Sequence, residues 1–249
     1  MNKINTSCKE ILAGFKKLYN KKNIDGMARY GINTKNAFGI SIYVLRDMAG
    51  RIGKNHLLAR QLWETGAHEA MLLAVFLEEP GKVSEAQMGS WAKDLDSWDI
   101  CDQACTSLFD QTQFAYKKAF EWSRRKEEFV KRAAFSLIAG LAVHDKKAGD
   151  KNFLKFFPII KKESIDERNY VRKAVNWALR NIGKRNVSLN KAAIRLAEEI
   201  YGTDSKSARW IASDALRELT GEKVQKRLTA KIVNKLTSQQ VNKVKNKNR

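Results

Sequence analysis

The sequence predicts an all-α protein, a curved α-solenoid of HEAT-like helical repeats. Three observations carry that expectation. Apolar residues recur at helical spacing nearly throughout the chain. Only two prolines, Pro80 and Pro158, and 14 glycines interrupt 249 residues. Three segments also resemble one another at offsets near 40 residues: VKRAAFSLI at 130–138, VRKAVNWALRNIG at 171–183 and ARWIASDALRELT at 208–220. A helix pair cannot bury its apolar stripe alone, so a repeat of this length implies neighbours that stack; amphipathic helices resemble one another by default, and a compact helical bundle is the alternative. Runs of alternating β-branched residues between tight turns are missing, and no sheet is expected.

In chain order, residues 57–77 read as one or two helices. Further helices follow at 84–93, 97–109, 112–125, 127–143, 151–163, 167–183, 188–201 and 205–219. The joints carry residues that break or cap helices: Pro80-Gly81, Gly149-Asp150, Gly183, Gly202 and Gly221. No internal boundary stands out. The expected organisation is one repeat domain over 1–222 and a basic tail over 223–249, disordered or a frayed helix.

The charge is unbalanced. Forty-seven Lys and Arg against 27 Asp and Glu give a net charge of +20. Residues 223–249 hold nine of the cations and no acid, so the rest of the chain keeps +11. A field of this sign draws in phosphates, and nucleic acid is the expected partner. A merely soluble cationic protein would share the same composition. Three cysteines, Cys8, Cys101 and Cys105, are too few and too odd in number for a disulfide framework, which places the chain in a reducing compartment. Cys101 and Cys105 lie one helical turn apart, but no neighbouring His completes a zinc site, so neither metal nor cofactor is expected. No apolar run is long enough to cross a membrane and the N-terminus is polar, so a cytoplasmic protein without membrane contact, acting as a monomer, is expected.

Candidate functional residues are those on the wrong face of their helix. At 170–184, Val171, Val175, Leu179 and Ile182 form the core stripe, while Tyr170, Lys173, Trp177, Arg180 and Lys184 gather on nearly the opposite side. A tryptophan among cations suits a sugar–phosphate chain. A tryptophan packed on a neighbouring helix, with solvated cations beside it, would give the same pattern. At 97–109, Ile100, Cys101, Ala104 and Leu108 form the core stripe and Trp98, Asp102, Cys105 and Phe109 a second one. Trp98 and Asp102, at i and i+4, then share one surface patch. Ser97 or Asp96 would cap this helix and Asp99 would suit its first turn, but capping does not account for Asp102. In the next helix, Val130, Ala133, Ala134, Leu137 and Leu141 face the core, and Arg132 projects the other way near Ser136 and Ala139. Such small neighbours would let a ligand backbone approach, although the helix pattern by itself favours an ordinary solvated arginine.

Taken together, SWDICD at 97–102, KRAA at 131–134 and VRKAVNWALR at 171–180, with NAFGISIYVLR at 36–46, resemble the AlkD-type DNA alkylation repair family of HEAT-like DNA glycosylases. The resemblance spans roughly residues 30–220. It implies that Trp98 and Trp177 grip the lesion's sugar and backbone, that Asp102 is the catalytic aspartate and that Arg132 contacts the DNA backbone. One departure is Ser97, where the family often carries a second tryptophan; the i, i+4 pairing of Trp98 with Asp102 is retained. The family also holds non-catalytic relatives, and the alternative reading is a HEAT-like DNA-binding protein that recognises distorted or damaged DNA without cutting it. The implied reaction is hydrolysis of the N-glycosidic bond of positively charged N3- or N7-alkylpurines in double-stranded DNA. An alkylated purine is a good leaving group, and the sugar develops oxocarbenium character. Asp102 would stabilise that charge and orient water, the indole faces would hold the cation, and Lys173 and Arg180 would neutralise phosphates. The resemblance also implies a lesion read from its backbone side, with little or no base flipping.

Overall fold

The computed structural model describes residues 6–230. Fourteen α-helices, then a helical run at 222–230, and no strand occur among the described residues. The chain divides into two compact units, Met1–Gly140 and Leu141–Arg249, although no boundary was legible in the sequence. The division falls inside a helix, at a position that no Gly/Pro-rich linker marks.

The N-terminal unit begins with three helices that the hydrophobic pattern did not reveal: α1 (Cys8–Lys17), α2 (Lys21–Arg29) and α3 (Ile42–Ile52). They are short and charged, and each buries only one or two residues, such as Ile11 and Phe15 of α1. Of the one or two helices expected at 57–77 there are two, α4 (His56–Glu64) and α5 (His68–Leu77), broken at Gly66, whose φ of 63° an L side chain rarely adopts. Then come α6 (Glu85–Lys93) and α7 (Trp98–Ser107). The latter stops two residues short of the expected end. Leu108 leaves helical geometry, and a 3-10 turn at Phe109–Gln111 turns the Phe109 ring between Trp91 and Trp122, at 6.4 and 6.0 Å. Aromatic packing outweighs helix continuation there. After α8 (Ala115–Trp122), α9 (Glu128–His144) carries the division.

Within this unit α3 packs on α5, α5 on α7, and α4 backs α5. Trp63 of α4 and Trp91 of α6 stack face to face at 4.0 Å. The segment NAFGI is held by a buried acid: the Glu69 carboxylate accepts N–H bonds from Phe38, Gly39 and Ile40 at 2.8, 2.6 and 3.1 Å. Gly39 has φ +78°, and a Cβ there would stand 2.3 Å from the Asn20 carbonyl oxygen. Only glycine fits.

The C-terminal unit holds α10 (Asp150–Leu154), α11 (Phe157–Glu163), α12 (Asn169–Gly183), α13 (Val187–Tyr201) and α14 (Lys206–Leu219). The expected single helix at 151–163 is split because Phe153 and Phe156 are both buried and Pro158 starts a new first turn, where its missing N–H costs nothing. α12, α13 and α14 pack on one another. The predicted α12 stripe of Val171, Val175, Leu179 and Ile182 is fully buried. The repeat shows as a ladder of pairs 38 residues apart: Arg172 lies over the Trp210 ring, Asn176 bonds Asp214 and Arg180 pairs with Glu218. The fold also continues past the boundary expected at 222. Residues 222–230 are helical, with Val224 and Leu228 buried, so the start of the expected tail is part of the packed unit. Positions 231–249, the remainder of that tail, lie outside the described residues.

Candidate nucleic-acid site

Helix α7 starts from Ser97, whose extended backbone places its carbonyl to accept from Cys101 N–H at 3.1 Å. The expected side-chain cap is not made. Ser97 Oγ instead donates to Asp99 Oδ1 at 2.6 Å, and Asp96 accepts from Asn33 Nδ2 at 2.6 Å. Asp99 is drawn from the helix end by a stronger partner, His68 of α5, whose Nε2 lies 2.8 Å from Asp99 Oδ2. Burial alone would lower the His68 pKa, but Asp99, with the Glu69 and Asp96 charges, outweighs it and holds the imidazolium above its ordinary value. Burial would likewise raise Asp99, yet His68 and Ser97 keep it below the usual carboxylate range. The first turn of α7 is thus tied to α5 by a buried ion pair.

Trp98 opens α7 partly exposed, its indole N–H donating to the Tyr30 carbonyl at 3.0 Å. One turn on, the Asp102 carboxylate meets α9. Arg132 Nε donates to Oδ1 at 3.1 Å, a terminal guanidinium nitrogen donates to Oδ2 at 2.7 Å, and Ser136 Oγ donates to Oδ1 at 2.8 Å. The Asp102 side chain retains 16% exposure and that of Arg132 only 7%. Burial pushes the Asp102 carboxyl above its ordinary value, while the guanidinium and Ser136 pull the other way. Burial would lower the Arg132 pKa in turn, but the Asp102 charge outweighs it and raises the value.

Arg132 therefore differs from the expectation of a cation projecting into solvent. α9 is buried on several sides: Ser136 and Ala139, expected to leave room for a ligand, are fully covered, and Gly140 lets α7 and its following turn come close, since a Cβ there would meet Asp110 Oδ2 at 2.9 Å. A buried guanidinium needs a carboxylate, and Asp102 supplies it. The expected second stripe of α7 splits for a similar reason. Trp98 and Asp102 keep an outer edge, whereas Cys105, its thiol donating to the Ala133 carbonyl at 3.4 Å, and Phe109 are core. Sequence reasoning missed Ser136 as a partner of Asp102, although it lies one turn beyond Arg132 on the same helix.

The remaining candidates belong to the C-terminal unit. Trp177 and Tyr170 are half-buried and Lys173 is exposed. Arg180 and Lys184 are committed to α14: Arg180 pairs with Glu218 and lies 3.4 Å from Asp214, and Lys184 pairs with Glu218 at 2.6 Å. Burial would raise the Glu218 carboxyl, but Lys184 and Arg180 hold it below the usual range. So the expected five-residue stripe divides into a tryptophan–lysine surface and an ion-paired edge.

A cleft of 840 Å³ in the N-terminal unit is lined by residues including His56, Trp63, Gln87 and Trp91, but neither Trp98 nor Asp102 borders it. Among the described residues no group of three His, Cys, Asp or Glu is placed to hold a metal ion, and no helix is long and apolar enough to cross a membrane.

Residues 11–219 match the model of a family described as DNA alkylation repair enzyme. The match starts earlier than the motifs suggested and takes in most of α1 and all of α2. A solved structure described as a new family of proteins related to the HEAT-like repeat DNA glycosylases, with affinity for branched DNA structures, superposes with a TM-score of 0.71 at 19% identity, covering 87% of this chain and 97% of that one. The fold is accordingly of the HEAT-like repeat type. A designed armadillo repeat protein also matches at 16% identity, covering 72% of this chain and 93% of its own, with a TM-score of 0.32. No curated relative matches the chain.

Proposed function

The chain belongs to the DNA alkylation repair enzyme family, and from that premise we propose that it is a monofunctional DNA glycosylase excising positively charged N3- or N7-alkylated purines from duplex DNA. The observation that carries this reading is the Asp102 carboxylate, fixed by Arg132 and Ser136 beside a partly exposed tryptophan one turn away. An alkylated purine already carries the positive charge that a leaving group needs. Breaking the bond from C1′ to the base nitrogen leaves a cation on the sugar and releases a neutral base; water then adds to C1′ and gives up a proton. A preorganised carboxylate stabilises the sugar cation and takes a hydrogen bond from the attacking water. Its orientation costs nothing at the moment of reaction, because two side chains of α9 have already set it. The Trp98 face adds cation–π stabilisation, and Trp177 with Lys173 is the C-terminal unit's means of holding the DNA backbone. Arg132 is a positioning residue for Asp102; using it as a phosphate ligand would break a buried pair. We propose that the protein acts as a monomer.

A second reading is favoured by the same three hydrogen bonds. A carboxylate so engaged can be purely structural, and the solved relative has affinity for branched DNA. On that reading the chain grips distorted DNA without cutting it. The test is incubation of protein in excess with duplex DNA carrying 7-methylguanine. Release of the free base supports the glycosylase; tight binding, stronger to a four-way junction than to the duplex and without release, supports the second reading.

A further inference from the structure

The C-terminal unit contains a cavity of 550 Å³ away from Tyr170, Lys173 and Trp177, lined by Lys146, Lys184, Arg185 and Arg227 with Asn181 and Asn186. Asp150 is the one carboxylate in this lining, and it is already taken by Asn186 Nδ2 at 2.7 Å. Glu218, outside the lining, pairs with Lys184, so four cations stand against two acids and the cavity keeps a net positive charge that an anion would relieve.

The fixed member is Arg185. Its guanidinium lies 3.9 Å over the Phe153 ring and donates to the carbonyls of Ala142, Asp145 and Ala148 at 2.6, 2.8 and 3.2 Å. All three belong to the carbonyl-rich end of α9 or the loop after it, the negative pole that would repel an anion. Arg185 cancels that pole and leaves the other cations to act. Lys184 stands at the end of α12, ion-paired with Glu218 on one side, and its carbonyl accepts from Arg227 at 3.3 Å. Lys146 is exposed on the loop after α9. Asn186 caps α13, so the positive end of that helix also borders the cavity.

We propose that this cavity is a phosphate site, taking a phosphodiester of the DNA backbone through Lys146 and Arg227, with the ion-paired Lys184 beside them. The site presupposes the reading of the chain as a DNA-binding repair protein. It adds a contact point from the helical run at 222–230, whose Val224 and Leu228 anchor Arg227 to the folded unit. A basic residue carried on a packed helix is held in place for a phosphate, as a loose tail residue is not.

The test is a salt series of binding to an unmodified duplex by the full chain and by the double variant K146Q/R227Q. Neither residue takes part in the proposed chemistry, and both are exposed. The expected result is an unchanged melting temperature and a slope of log affinity against log salt reduced by roughly 1, at about 0.9 for the one phosphate no longer neutralised. An unchanged slope and affinity would overturn the proposal. So would inorganic phosphate raising the melting temperature of the wild type alone while the DNA slope stays the same in both, since the site would then serve free phosphate. Because the duplex carries no lesion, a reduced slope in a protein that never releases base keeps the phosphate site and removes only the glycosylase, whereas base release with an unchanged slope removes only the phosphate site.

Discussion

The α7–α9 contact and the α12–α14 contact are built from the same parts and do different work. Each joins two repeat helices by a guanidinium and a carboxylate: Arg132 with Asp102 in one, Arg180 with Asp214 and Glu218 in the other. In the first, the arginine is buried and the acid nearly so, and a serine completes the set. In the second, the arginine side chain keeps 27% exposure and Glu218 29%, while Asp214 is covered about as well as Asp102. Water screens the second pair and makes it replaceable; low dielectric makes the first rigid and costly to break. A repeat protein can thus use one kind of pairing to hold a carboxylate rigidly and another merely to seat neighbouring helices.

The largest contrast should appear in stability. Arg132→Ala leaves a buried carboxylate uncompensated and is expected to cost about 3–5 kcal/mol in urea unfolding. Arg180→Ala should cost under about 1 kcal/mol. Equal costs would erase the distinction. Next, Trp177→Ala is expected to weaken duplex binding by about 1–3 kcal/mol with little change in melting temperature; a collapsed melting temperature would make Trp177 a packing residue. A smaller effect is expected from His68→Gln. The raised His68 pKa means that its contribution to stability is full below the unfolded-state value, about 6.5, and fades as pH climbs through the raised folded-state value. The lowered Asp99 pKa gives a contribution present above the unfolded carboxylate value and lost as pH falls through the folded one. Melting temperature against pH should therefore decline on the alkaline side in the wild type and lack that decline in the variant, whereas parallel curves would count against the pair. The smallest expected change is from ending the chain at residue 230, which removes six cations but no residue of the described fold. It should flatten the salt dependence of duplex binding and leave folding intact.

What the sequence showed and what it hid follow from the range of the physics involved. The buried stripes of α12 (Val171, Val175, Leu179) and α7 (Ile100, Cys101, Ala104) were legible because periodicity within one helix reports which face is apolar. Arg132 was misplaced because its partner sits 30 residues earlier, and a helix's own period says nothing of what lies across from its polar residue. His68 and Asp99, 31 residues apart, were invisible for the same reason, and their pairing displaced the Ser97 cap that local rules favoured. The break in α7 came from Phe109 seeking Trp91 and Trp122, a tertiary demand. The helical run at 222–230 went unread, because the boundary was set at 222: its apolar face, Val224 and Leu228 at i and i+4, is masked by the cations around it. As for the candidate site, the sequence picked out Asp102 and its neighbours but assigned Arg132 to solvent.

Asp102→Asn probes the glycosylase reading at its root, with the single-turnover rate of 7-methylguanine release and duplex affinity measured side by side. The rate should fall by about 10²–10³, the loss typical when one preorganised electrostatic group is removed, with affinity within a few-fold of wild type. In the wild type, release should also fall away as acid protonates the carboxyl, with a midpoint above that of an ordinary aspartate, because burial raises it. Release by Asp102→Asn at the wild-type rate would refute that reading, leaving the α7–α9 ion pair a structural joint.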